Sequence, residues 1–297
     1  MIPEQVFREL KAQHRKRVLV QLPEGLKPKA VIIAAELRQR GYSPIISGEP
    51  CFGACDTRTL RGATTLHVGH SRMTSEENIV YWGYDYGQDL VPAAEKALPL
   101  LGKRVGLFTT VQHLGKIGDA RRFLEKHGKT VLTAKGRTTG DYQLIGCDAS
   151  GAESIAKKVD SFLYIGGGRF HPIAIAYYTK KPVITIDPFS LEVQQLDSSV
   201  WEKERALRQT KAMNADSFGI VVSAKPGQKH WALAETVAKK LEKAGKTVLI
   251  IYLDSITPDL LLPYSVDAFV ITACPRIVVD DWKNYKKPVL LPDEILI

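Results

Sequence analysis

A strand–helix–strand unit occurs three times along these 297 residues, and it constrains the fold more than any other feature. The first copy opens with RKRVLVQLPEGL, an apolar run of strand length that ends in Pro-Glu-Gly, the chemistry of a turn. A helical pattern, KPKAVIIAAELRQRG, follows and stops at Gly41, after which YSPIIS reads as a second strand. The second copy runs GKRVGLFTT, GDARRFLEKHG to Gly128, then KTVLTA. The third runs FGIVVSA, HWALAETVAKKLEKAG to Gly245, then KTVLIIYL. Val18 to Gly41 is 23 positions, Val105 to Gly128 is 23, and Ile220 to Gly245 is 25. With HGKTVL and AGKTVL nearly identical, chance is a poor explanation.

Each copy then adds a third strand: TTLHVGH, DSFLYIGGG and DAFVITACP. The second and third copies also share a closing strand, KKPVITIDP and KKPVLLPDE. Strands alternating with helices predict parallel sheets with right-handed crossovers, and continuous apolar runs such as FLYIG suit sheets buried on both faces. We therefore expect an α/β fold of three homologous Rossmann-like lobes at 1–100, 101–196 and 197–297. The polar stretch 191–208 is expected as a helix bridging the second and third.

Composition narrows the function classes. Hydrophobic residues make up 44% of the chain, enough for several cores, and no apolar run approaches the roughly 20 residues of a membrane span. The N-terminus reads as an amphipathic helix rather than a signal peptide, and four cysteines are far too few for a disulfide scaffold. The expected setting is a cytoplasm with reduced thiols. The net charge of +9 is dispersed in pairs such as Lys157–Lys158 and Lys286–Lys287. That pattern fits a solvated surface, or one that docks an acidic or RNA-associated partner. No nucleic-acid module or direct nucleic-acid contact is expected.

The cysteines are Cys51, Cys55, Cys147 and Cys274. Cys55 and Cys147 follow the second strand of their copies, and Cys274 follows the third strand of its own. All lie where open parallel sheets gather their ligands, beyond the carboxyl ends of strands. Four readings compete. The thiols are small buried hydrophobes; or they hold zinc, although only Cys51 and Cys55 are paired at short spacing. One is a nucleophile, which leaves the others unexplained; or three hold an iron–sulfur cluster with one iron open to substrate. The C-x₃-C-x₂-C loop of ordinary radical S-adenosylmethionine enzymes is absent, because its third position is Arg58. His67, His70 and His171 read as hydrogen-bonded structural histidines with no partner in sequence to complete a metal set. Asp56, Asp148 and Asp187 follow strands and read as helix caps.

Six motifs occur in order: QLPEGL at 21–26, FGACD at 52–56, HVGHS at 67–71, IGCD at 145–148, IGGGRFH at 165–171 and ACPR at 273–276. Together they make the chain resemble the archaeal diphthamide synthase family of unconventional radical S-adenosylmethionine enzymes. The resemblance covers nearly the whole chain. It implies a central [4Fe–4S] cluster held by one cysteine from each lobe, at the positions of Cys55, Cys147 and Cys274, with Cys51 a bystander or accidental alternative ligand. It also implies a transferase reaction. The Cγ–S bond of S-adenosylmethionine is cleaved, methylthioadenosine is released, and the 3-amino-3-carboxypropyl group is added to a histidine of translation elongation factor 2. A homodimer and an electron donor are implied as well.

Given that substrate, Gly166, Gly167 and Gly168 form a turn where backbone can approach its methionyl end closely. Arg276 is a candidate for the carboxylate. Gln21 and Glu24, in the equivalent turn of the first copy, are candidates for ribose or amino contacts. The rival from another class is a non-catalytic iron–sulfur electron carrier or redox-sensing scaffold. Such a carrier would use four protein ligands, with Cys51 as the fourth. A zinc hydrolase is a further alternative.

Overall fold

The computed structural model describes residues 1–73 and 75–296. Its first sheet is built from β1 (Arg17–Gln21), β2 (Ser43–Ile46), β3 (Thr64–Val68) and β4 (Ile79–Trp82), with α1 (Glu4–Ala12) before it and α2 (Ala30–Gln39) between β1 and β2. The second region contains α3 (Val91–Ala97), β5 (Arg104–Thr109), α4 (Leu114–Lys126), β6 (Thr130–Leu132) and α5 (Ser150–Ile155). It continues through β7 (Ser161–Ile165), α6 (Phe170–Thr179), β8 (Val183–Ile186) and β9 (Val193–Leu196). The third comprises α7 (Ser199–Ala212), β10 (Ser217–Ser223), α8 (Trp231–Lys243), β11 (Thr247–Leu253), α9 (Pro258–Leu261), β12 (Ala268–Ile271), α10 (Arg276–Val279) and β13 (Val289–Leu290).

The strand orders are β2-β1-β3-β4, β6-β5-β7-β8-β9 and β11-β10-β12-β13. Apart from β9 this is one order used three times, and every pairing except β8–β9 is parallel. The repeat in the sequence is thus a repeat of topology: three parallel-sheet α/β units. The chain also divides into two compact units. One is Met1–Gly87 with Val111–Gly115 and Lys225–Gly227, and the other is the remainder.

The helix stops anticipated at Gly41, Gly128 and Gly245 are the same device. Each glycine has φ near +80°, at 80°, 78° and 77°. The next residue donates its N–H back across the turn, Tyr42 to Leu37, Lys129 to Leu124 and Lys246 to Leu241, at 3.0, 3.1 and 3.0 Å. This closes the last helical carbonyls and aims the chain into the following strand.

Two expectations need correction. Within 191–208 the chain first forms β9, which runs antiparallel to β8 with Ile186 opposite Val193 and Val183 opposite Leu196. Helix begins only at Ser199. Leu196 is buried while Gln195 is exposed, the one-sided pattern of an edge strand. The first unit also has a fourth strand, β4, that the repeat pattern did not reveal.

Alternation along the strands builds the cores. In the second sheet, Val105, Leu107, Leu163 and Ile165 pack with α3 and α4, while Phe108, Phe162 and Tyr164 face α5 and α6. The third sheet is likewise covered on both faces. Each such side chain contributes roughly 1.5–3 kcal/mol by leaving water. Glu294, fully buried, accepts from Arg208 Nε at 3.1 Å and from the Leu291 N–H at 3.1 Å, tying α7 to the end of the chain.

The first sheet differs. Val18, Val20, Leu66 and Val68 pack against α1 and α2. The opposite face carries Gln21, Thr65 and His67, all buried and polar, with Gln21 and His67 register partners. Buried polar groups need partners, and a loop supplies them.

Candidate functional site

The loop between β2 and β3 carries Cys51 and Cys55, and the polar face of the first sheet holds it. Gln21 Nε2 donates to the Asp56 carbonyl at 2.6 Å, and Gln21 Oε1 accepts from the Arg58 N–H at 3.1 Å. The Thr65 hydroxyl donates to the Arg58 carbonyl at 2.7 Å. The Asp56 carboxylate is fully buried and ion-paired with Lys225 at 2.8 Å. Gly227 donates its N–H to the Cys55 carbonyl at 3.0 Å. A Cβ on Gly227 would stand 2.5 Å from the Cys55 Cα, so only glycine permits this approach.

Cys51 is buried, Cys55 half-buried. Burial first, and then the Asp56 carboxylate, pushes the Cys51 thiol up to about 12. His67 and His70 lie at the end of β3, with His67 Nε2 2.9 Å from His70 Nδ1. Burial, assisted by His70, pulls His67 down to about 3, and burial pulls His70 down to about 4. The expectation that these histidines lack a third metal donor is corrected by the fold: Cys51 is gathered with them.

In the other compact unit, Cys147 is exposed in the loop before α5, and Cys274 is half-buried between β12 and α10. Asp148 fastens the Cys147 loop. Its carboxylate accepts from the Thr138 N–H and hydroxyl, both at 2.8 Å, and from the Ser150 N–H at 3.1 Å. Burial pushes the Asp148 carboxyl up, but the hydrogen bonds from Ser150 and Thr138 outweigh it and the net shift is down.

Gly167, Gly168 and Arg276 line one cleft of about 690 Å³, together with Phe170, Trp201 and Glu204. Arg276 stacks on the Phe170 ring at 4.3 Å and pairs with Asp280 at 2.8 Å. Gly168 has φ of 74°, and a Cβ on Gly166 would meet the Tyr164 hydroxyl at 2.7 Å. The anticipated turn is therefore a tight glycine turn with an arginine beside it.

The structure gives the other anticipated residues different settings. Gln21 is wholly buried, and the contacts above use both ends of its amide, so it acts on the cysteine loop. Glu24 is exposed and pairs with Lys27 at 2.7 Å. Asp56 is an ion-pair partner rather than a helix cap, and Asp187 closes a turn by accepting from the Phe189 N–H at 2.8 Å. Lys225 and Gly227 escaped the sequence reading, because their only signal is a Lys-Pro-Gly turn after a strand. Cys55, Cys147 and Cys274 each offer a thiol that is not sealed from solvent, the ligand type that iron–sulfur clusters take. Among the described residues, no helix is long and apolar enough to cross a membrane.

Comparison with known proteins points one way. The family model for diphthamide synthesis proteins matches residues 22–297. The chain is 33% identical over 305 residues to a 2-(3-amino-3-carboxypropyl)histidine synthase of Pyrococcus horikoshii, with 99% of this chain and 88% of that protein covered. It is 31% identical over 317 residues to a Methanocaldococcus jannaschii protein of the same name, with 98% and 87% covered. The crystal structure of Dph2 from Pyrococcus horikoshii with a 4Fe-4S cluster superimposes with a TM-score of 0.90 at 31% identity, covering 99% of this chain and 89% of that one.

Proposed function

This chain belongs to the diphthamide synthesis protein family, and from that premise we propose that it is a 2-(3-amino-3-carboxypropyl)histidine synthase. Its substrates are S-adenosylmethionine and a histidine of translation elongation factor 2. The products are methylthioadenosine and the histidine bearing a 3-amino-3-carboxypropyl group. The observation that carries this reading is the similarity, across 99% of the chain, to a protein of that name.

Cys55, Cys147 and Cys274 hold a [4Fe–4S] cluster, one from each of the lobes 1–100, 101–196 and 197–297. Support comes from three sheets of one strand order, each with a thiol on a strand-end loop. When bound and reduced, the cluster supplies the electron that breaks the Cγ–S bond, and its one iron without a protein thiolate leaves room for substrate. The chain supplies orientation. Arg276 gives up part of its pairing with Asp280 to bind the methionyl carboxylate, and Gly167 and Gly168 let backbone close on the same end. Glu24 is the candidate for the amino or ribose groups. Gln21 and Asp56 position the Cys55 loop.

The electron-carrier alternative needs Cys51 as a fourth ligand, but Cys51 is grouped with two histidine nitrogens. The protein works as a homodimer in the cytoplasm, with a separate electron donor. Leu249, Ile250 and Tyr252 on edge strand β11 are exposed apolar side chains, Leu249 on one face of the strand and the other two on the opposite face, an edge open to a second copy. The test is mass spectrometry of elongation factor 2 after anaerobic incubation with the reconstituted protein, S-adenosylmethionine and dithionite. A gain of one 3-amino-3-carboxypropyl group on a histidine peptide is expected. An unmodified partner, with the cluster intact, defeats the assignment.

A further inference from the structure

We propose that Cys51, His67 and His70 form a second metal site, distinct from the cluster cysteines, that takes a zinc-class divalent cation through one sulfur and two nitrogens. Their ligand atoms all lie within 4.8 Å of one another. Cys51 and His67 are buried and His70 is half-buried, so the site has a closed side and an accessible one. A mixed nitrogen and sulfur set suits zinc, and three protein ligands leave a fourth position for water or another donor.

The surroundings of His67 prepare it for this role. Gln21 Nε2 faces a carbonyl, that of Asp56, and Gln21 Oε1 faces an N–H, that of Arg58. The amide therefore has one orientation. Oε1 also lies 3.0 Å from His67 Nδ1, so Nδ1 carries the proton and donates it. Neutral His67 then presents a bare lone pair at Nε2, aimed at His70 Nδ1 2.9 Å away. An outer partner that fixes the tautomer and the ring plane of an imidazole is the usual companion of a histidine metal ligand. Burial keeps both rings neutral near pH 7, in agreement with this arrangement.

The proton count closes. Without metal, His70 Nδ1–H donates to His67 Nε2. On binding, the His70 proton moves to its Nε2, Nδ1 turns to the cation, and the Cys51 thiol releases its proton to solvent. One proton leaves for each cation bound.

The test uses full-length protein with the cluster assembled, dialysed against zinc chloride and then against buffer, with zinc and iron measured per chain. About one zinc is expected in addition to the iron. Cys51→Ser and His70→Gln should each lose the zinc and keep the iron, and His70, being half-buried, allows the second change without collapse. A chain with Cys55→Ala, Cys147→Ala and Cys274→Ala should lose iron and retain zinc. That arm separates failure of this site from failure of the cluster assignment. Absence of stoichiometric zinc, zinc that survives His70→Gln, or zinc lost only with the three cluster cysteines would each overturn the proposal.

Discussion

Lys225 Nζ lies 2.8 Å from Asp56 Oδ2, with only 9% of the lysine side chain and none of the aspartate side chain exposed. Asp56 immediately follows Cys55, so this ion pair seats the cysteine loop against the segment Lys225–Gly227. Arg58 is a longer second partner of Asp56 at 3.5 Å, so losing Lys225 leaves the buried carboxylate with that contact alone. Lys225→Met should cost about 3–5 kcal/mol in denaturant unfolding, while Lys225→Met with Asp56→Asn should recover most of it. Equal losses in the single and double variants would mean that the pair does not hold the loop.

Gly227→Ala tests the neighbouring contact. The new Cβ would stand 2.5 Å from the Cys55 Cα and 2.7 Å from its Cβ, so backbone must move. Far-ultraviolet circular dichroism should be unchanged while iron per chain falls well below that of the parent. Full iron content would show that the position of Cys55 does not depend on this approach.

Arg276→Ala should raise the KM for S-adenosylmethionine about 10- to 100-fold, the loss expected for a charged hydrogen bond worth about 1.5–3 kcal/mol. Iron content should stay at the parental level. Arg276→Lys should recover little, since an ammonium lacks the two-pronged geometry of the guanidinium. An unchanged KM removes Arg276 from the substrate site.

Acid stability has an identifiable contributor in the Arg104–Asp160 pair. Hydrogen bonds from the Arg104 side chain and then its N–H hold the Asp160 carboxyl at about 2, below its ordinary 3.8. Because the folded value is depressed, the unfolded chain binds the proton more readily. The stabilisation is present above pH 3.8 and is lost as pH falls toward 2. Asp160→Asn should flatten the fall of Tm with pH in that interval. A parallel fall in both proteins would show that the pair is silent.

Local signals made the repeat readable. Gly41, Gly128 and Gly245 each end a helix by one set of hydrogen bonds, and each strand that follows is an apolar run, so sequence pattern and backbone geometry coincide. The strand β9 was hidden because Val-Gln-Gln-Leu carries too few apolar residues to outweigh the helix-forming residues after it. The grouping of Cys51 with His67 and His70 was hidden for a different reason. His67 and His70 are neighbours on one strand end, but Cys51 reaches them only because Gln21 and Thr65 hold the intervening loop against β1 and β3. Polar residues inside a strand pattern, QLP and LHV, were the available clue: they mark a sheet face that holds a loop where an apolar core would otherwise pack.

The most direct measurement is chromatography of the small-molecule products after anaerobic incubation of the reconstituted protein with S-adenosylmethionine and dithionite. Methylthioadenosine is the predicted product, accompanied by a homoalanine-type fragment when no protein acceptor is present. Formation of 5′-deoxyadenosine would contradict the account, because the bond broken would then be the one to the nucleoside carbon rather than Cγ–S.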